Sequence, residues 1–232
     1  METNNNQGNP INPKNQDSDN MTTFNNAPIA PLVPLYEVKP QFSFFKAPIT
    51  NVQPYSRATL RQIYNAIKGN YYKPQTDKLR EILATQTHVG AEHVPPSLAL
   101  ARKFKSQNFD YCTFSGIFTR RSDNALLKHS GLICLDFDNI NNITKLRFQL
   151  LTDKYLTTQL LFVSPSGNGL KWIISIDPAC NTHTDYFNAL QNYISKTYNV
   201  EVDKSGKDLS RACFLPHDPY AYINPHHLRK YE

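Results

Sequence analysis

The nonapeptide Ser130-Gly-Leu-Ile-Cys-Leu-Asp-Phe-Asp138 constrains this chain more than any other stretch. Leu132–Leu135 is an unbroken apolar run, the pattern of a buried central strand. It ends in two carboxylates one residue apart. Side chains alternate along a strand, so Asp136 and Asp138 project to one face. Two neighbouring anions repel, and burying them unpaired is costly. The pair calls for a counter-charge, and a divalent cation is the simplest candidate. The alternative is a solvated strand end that feeds the turn Asn139-Ile140-Asn141-Asn142.

Charge adds a second constraint. The chain carries a net +6, and residues 57–129 alone hold twelve Lys or Arg against five Asp or Glu, a surplus of seven. Such a balance suits a polyanion. Within it, Arg102, Lys103, Lys105, Arg120 and Arg121 are candidates for a groove that holds single-stranded or template DNA, against an ordinary solvated basic surface. No run of 18 apolar residues and no basic-then-apolar leader is present, so a cytoplasmic protein without a membrane span is the simplest expectation. Cys112, Cys134, Cys180 and Cys213 form no Cys-x-x-Cys pair, which argues against zinc, and three of the four sit in apolar, strand-like surroundings, which suits buried free thiols.

Residues 1–30 contain nine Asn, show no hydrophobic period, and are expected to be disordered ahead of a domain over residues 31–232. Within the domain, periodicity predicts a strand at 41–46 and a helix over 57–67 capped by Ser56. A second helix over 77–84 would be capped by Thr76, with a loop at 88–96 and a short helix at 97–105. One strand at 109–118 precedes the acidic strand. A helix over 144–152, strands at 159–163 and 170–176 paired as a hairpin, and a helix from Thr182 or Thr184 to Tyr198 follow. The chain closes with short strands at 200–203, 212–215 and 221–223. Strands interleaved with helices imply an α+β sheet with helices against it.

Three further features join the Asp pair. In Ser166-Gly-Asn-Gly-Leu-Lys171 two glycines let a backbone approach an anion, and a cation follows on the next strand; a plain hairpin turn is the alternative. Asp203 ends a short apolar stretch. Arg211 follows Asp208-Leu-Ser and is suited either to a salt bridge, for instance with Asp208, or to a phosphate. Three carboxylates, a glycine-rich loop with a cation, and an Arg are what nucleotidyl transfer on divalent metal ions uses. A phosphatase of the haloacid-dehalogenase type also has a strand ending Asp-x-Asp. It normally has Thr or Val where this chain has Ile140, and an acidic pair downstream that this chain lacks. His183, His217, His226 and His227 read as structural or exposed, and Trp172 as core.

The motifs Ser164-Pro-Ser-Gly-Asn-Gly-Leu-Lys-Trp172 and Val202-Asp-Lys-Ser-Gly-Lys-Asp-Leu-Ser-Arg-Ala-Cys-Phe-Leu-Pro-His-Asp-Pro219 resemble the primase-like VirE N-terminal domain family. The order of motifs resembles the archaeo-eukaryotic primase superfamily, over roughly residues 40–225. Such domains occur in Bacteroidetes and their mobile elements or phage, often ahead of a helicase domain. The resemblance implies an RRM-like primase-polymerase core, a mixed or antiparallel sheet with flanking helices and the acids on its open face. It implies Mg²⁺ or Mn²⁺ on Asp136, Asp138 and Asp203. Ser166, Gly167, Gly169, Lys171 and Arg211 would bind a nucleoside triphosphate, with Lys171 where many primases place a histidine. The implied function is primase or primase-polymerase activity on a DNA template. A non-catalytic nucleic-acid-binding module that recruits or regulates a replicative helicase is the alternative.

Overall fold

Alternation along the central strands determines how the layers stack. The computed structural model describes Met1, residues 39–85 and residues 96–229; the rest of the expected disordered segment 1–30, and most of the 88–96 loop, lie outside the described residues. From residue 39 onward these belong to one compact unit, Leu32–Glu232. The unit is a mixed α+β structure with two four-stranded sheets. In the first, β1 (Gln41–Phe45), β2 (Ser56–Thr59), β3 (Tyr111–Thr113) and β9 (Cys213–Phe214) lie in the order β2-β1-β3-β9. In the second, β6 (Leu132–Phe137), β7 (Thr158–Val163), β8 (Leu170–Ser175) and β10 (Tyr222–Ile223) lie in the order β10-β7-β8-β6. A separate hairpin joins β4 (Gly116–Phe118) to β5 (Leu126–His129). Every strand pair among them is antiparallel.

The second sheet is covered on both faces. Ile133, Leu135 and Phe137 of β6 and Leu170, Trp172 and Ile174 of β8 pack with α4 (Ile143–Leu151) and α5 (His183–Tyr198). Leu132 of β6, Ile173 of β8 and Leu160 and Phe162 of β7 pack against α1 (Leu60–Lys68) and the first sheet. Trp172 is core, with its Nε1 donating to Thr158 Oγ1 at 2.7 Å. Each large apolar side chain buried this way contributes about 1.5–3 kcal/mol before entropic costs. Among the described residues neither face of this sheet is open, unlike the open face the resemblance implied for the acids: Asp136 and Lys171 lie on the face toward the first sheet, at its end. A third small core joins Leu79 of α2 (Lys73–Ala84) to Ala101 of α3 (Pro96–Asn108) and to Phe109.

Several boundaries differ from the expectation. Residues 56–59 pair with β1 as a strand, and α1 begins only at Leu60, because Thr59 and Gln62 form a reciprocal capping box. Thr76 is not a cap but a buried residue inside α2, whose hydroxyl donates to Tyr72 O and accepts the His217 N–H. The run 109–118 splits into β3 and β4 because the chain turns at Phe114-Ser115; β4 then opens on Gly116, where a Cβ would sit 2.4 Å from Lys128 O of β5. Residues 200–203 form no strand. No helix among the described residues is long and apolar enough to cross a membrane.

Candidate functional site

Strand pairing brings the first acid and the lysine together. In the β6–β8 register Asp136 lies directly opposite Lys171, and the two form a buried ion pair through Asp136 Oδ2. Asp136 Oδ1 is also buried and has no hydrogen-bond partner among the described residues. Burial pushes the Asp136 carboxyl up, and Asp138 adds to the push against Lys171. Burial works against the Lys171 ammonium too, but the Asp136 carboxylate outweighs it and holds the lysine charged.

Asp138 lies just past the strand and is exposed. Asn139 then turns the chain with φ 54°, a conformation asparagine tolerates. That turn is fastened to the β7–β8 hairpin: Ile140 N–H donates to Asn168 O at 2.8 Å, and Asn168 Nδ2 to Asn139 Oδ1 at 3.0 Å. Gly169 makes the approach possible, since a Cβ there would lie 2.1 Å from Phe137 O.

Asp203 is brought in from the other side. Its N–H donates to Asp136 O at 2.9 Å, which docks the segment onto the end of β6 without a strand. Its Oδ1 caps the one-turn helix Lys204–Lys207 through Ser205 N–H, and its Oδ2 accepts from Arg211 at 2.7 Å. Burial alone would raise this carboxyl, but the Ser205 N–H, Arg211 and Lys171 hold it below the ordinary carboxylate range. Arg211 thus pairs with Asp203, and at 3.9 Å with Asp136, rather than with Asp208. One ligand oxygen from each of Asp136, Asp138 and Asp203 lies within 4.8 Å of the others. Three converging carboxylates, one with an unpartnered buried oxygen, fit a hard divalent cation.

Two of the acids, Asp136 and Asp138, border a cavity of about 330 Å³ whose wall also includes Lys105, Arg121, Lys171 and Arg211. Ser164, Ser166, Pro165, Phe214 and Asp208 also line it. Lys105 reaches in from α3 with its ammonium 5.6 Å above the Phe214 ring. Burial, then Lys171 nearby, holds its pKa below the ordinary lysine value. Arg121 lies 5.4 Å over the Tyr111 ring and donates to Ile49 O at 3.2 Å. Lys105 and Arg121 therefore sit at the acids, whereas Arg102, Lys103 and Arg120 are exposed and line no part of this cavity.

Ser166 and Lys171 face the cavity, while Gly167 and Gly169 shape the turn. Gly167 has φ 84°, and its N–H is engaged by Ser164 O at 2.9 Å. Two residues unread in the sequence complete the loop. Ser164 Oγ lies 3.0 Å from Ser166 Oγ. Arg80 of α2 donates to Pro165 O at 3.2 Å and Ser164 O at 3.4 Å, holding the hairpin in place. On sequence Arg80 looks like any charge on a solvated helix face; no local signal marks it.

His183 is likewise not a surface residue. It opens α5, is buried, and lies 3.2 Å from His129 Nε2 through its Nδ1. His129 Nδ1 accepts the Gly131 N–H, so its proton is on Nε2 and points at His183. Burial, with His183 adding, lowers the His129 pKa to about 4; burial, with His226 and Lys39, does the same to His227. In the unfolded chain each titrates near 6.5, so between pH 6.5 and 4 the unfolded state binds more protons. Stability should fall as pH drops through that window. The urea midpoint is expected to decline from pH 7 to pH 5 and to decline less in His129→Gln/His227→Gln; a midpoint equally steady in both would contradict it.

Comparison with known proteins follows this geometry. No curated protein and no solved structure matches the chain. A family model described as BT4734-like, N-terminal domain, matches residues 103–223, slightly more than half of the chain. The match runs from α3 to β10 and takes in all three acids, the β7–β8 hairpin and Arg211. The chain belongs to the BT4734-like N-terminal domain family, a VirE N-terminal-like family.

Proposed function

We propose that this domain is a metal-dependent nucleotidyltransferase of the primase or primase-polymerase type, joining nucleotides on a DNA template, with the second sheet as an RRM-like core. The observation that carries this reading is the convergence of Asp136, Asp138 and Asp203, their ligand oxygens within 4.8 Å, with Asp136 and Asp138 on the wall of a cavity that also holds four cations. Membership of a VirE N-terminal-like family supports it. Asp136, Asp138 and Asp203 would hold Mg²⁺ or Mn²⁺, and such an ion would supply the Lewis acidity that nucleotidyl transfer uses and offset the charge that develops on the phosphate.

The chain's own residues supply the rest. A triphosphate that enters the cavity competes with Asp136 for Lys171 and with Asp203 for Arg211, which frees those carboxylate oxygens. Lys105 and Arg121 offset the remaining phosphate charge. Ser164 and Ser166 offer hydroxyls at the hairpin edge, and Arg80 keeps that hairpin in register. Phe214, Pro165 and Ala212 form an apolar wall that lowers the local dielectric and strengthens each charge contact. Arg102, Lys103 and Arg120, exposed outside the cavity, are left for template phosphates.

The pairing of Lys171 with Asp136 and Arg211 with Asp203 favours a second reading. A site whose acids are already balanced by its own cations suits a nucleic-acid-binding module that recruits or regulates a helicase. Incubation with single-stranded or primed template, labelled nucleotides and Mg²⁺ or Mn²⁺ separates the two. Metal-dependent extension products, lost in Asp138→Asn, are expected. Template binding without products under either metal would replace the first reading by the second.

A further inference from the structure

A second cavity, of about 310 Å³, opens at the other edge of the first sheet, between β2 and the start of α1. β2 and β9 are the two outer strands of that sheet, so three strand spacings, about 14 Å, separate this edge from the strand beside the acids. Its wall includes Lys39, Arg57, Arg61, Thr59, Gln62 and His227, and no carboxylate among the described residues. Among the described residues neither Arg57 nor Arg61 takes part in an ion pair. Arg61 also stands in the first turn of α1, which holds no acidic residue. The N-terminal end of a helix is electropositive and favours anions, so a cation there is locally unfavourable. Two arginines and a helix start converge on one hollow, and an anion relieves all three at once. Lys39 adds to the same field, for its charge is among the causes that keep His227 neutral.

We propose that this cavity is a phosphate-binding site, taking either a phosphate of a nucleic-acid backbone or a free phosphate ester, with Arg57 and Arg61 as its ligands. Arginine forks match phosphate oxygens two at a time, and the Gln62 and Thr59 side chains border the same space. The site stands whether or not the acidic cavity transfers nucleotides.

The test uses the full chain and its Arg57→Ala/Arg61→Ala variant. Arg57 is exposed and Arg61 half-buried, and neither belongs to the buried cores, so the variant should keep the wild-type circular dichroism and melting midpoint. Each protein is titrated with a labelled oligothymidylate at several NaCl concentrations, and separately with inorganic pyrophosphate by calorimetry. The variant is expected to bind the oligonucleotide at least about tenfold more weakly, with a salt slope shallower by about 1.4 for two lost single-strand phosphate contacts. Its Mn²⁺ binding should be unchanged. Loss confined to the oligonucleotide assigns the phosphate to nucleic acid, and loss confined to pyrophosphate assigns it to a free phosphate. A folded variant that binds both probes as the wild type does, or a wild type that binds neither, overturns the site.

Discussion

Lys171→Met should destabilise the metal-free domain by about 3–5 kcal/mol, the usual cost of removing one partner from a buried ion pair. Lys171 and Asp136 are paired across β6 and β8 with side chains only 11% exposed on each side. Without the ammonium, the nearest remaining cation is Arg211 at 3.9 Å, itself committed to Asp203 at 2.7 Å. The other Asp136 oxygen already lacks a partner. A buried carboxylate left this way is what raises the cost. The same substitution should increase the stabilisation that Mn²⁺ gives, because a cation bound by the acids no longer competes with Lys171 for Asp136. Urea unfolding with and without Mn²⁺ reads both effects. A variant within about 1 kcal/mol of the wild type would show that the pair is not a supporting contact.

Gly169→Ala should be the most damaging change in the hairpin. The new methyl would meet the Phe137 carbonyl oxygen at 2.1 Å, its carbon at 3.2 Å and Ser164 Oγ at 3.3 Å. The first two are backbone, which cannot rotate away, so the start of β8 must move off the end of β6. Overpacking of this kind costs about 1–3 kcal/mol or more. Because Phe137 lies between Asp136 and Asp138, the shift also separates the acids from Lys171, and metal affinity should fall with stability. Gly167→Ala provides the contrast. Its left-handed φ costs about 1–2 kcal/mol, but the close atom is Arg80 Nε at 3.1 Å, a side-chain atom that can shift at the cost of its hydrogen bond to Pro165 O. Thermal melts should rank Gly169→Ala below Gly167→Ala, and the reverse order would refute the close-approach argument.

What was legible in the sequence was mostly local. The runs Leu132–Leu135 and Leu170–Ile176 read as strands, and α4 and α5 as amphipathic helices, because one face of each had to be buried. Opposite projection of Lys171 and Trp172 followed from alternation alone. The misreadings also have local causes. Ser56 and Thr59 are both good caps, and only the Gln three residues after Thr59 distinguishes them. Pro74 in the first turn of α2 marked an earlier start than Thr76 suggested. Val200 and Val202 resemble a short strand, yet one N–H to Asp136 O holds Asp203 in place instead. The division into two sheets was out of reach, since it depends on pairings between distant segments such as β3 with β9. So were Arg80 and the pairing of His129 with His183, which join elements far apart in the chain.

The account turns on Asp136, Asp138 and Asp203 forming one divalent-cation site. Titration of the full chain with Mn²⁺, followed by electron paramagnetic resonance of the free ion, measures this directly. Saturable uptake by the wild type, weakened at least about tenfold in both Asp138→Asn and Asp203→Asn while the fold is retained, is the expected result. Uptake by the wild type no greater than by the two variants would contradict it.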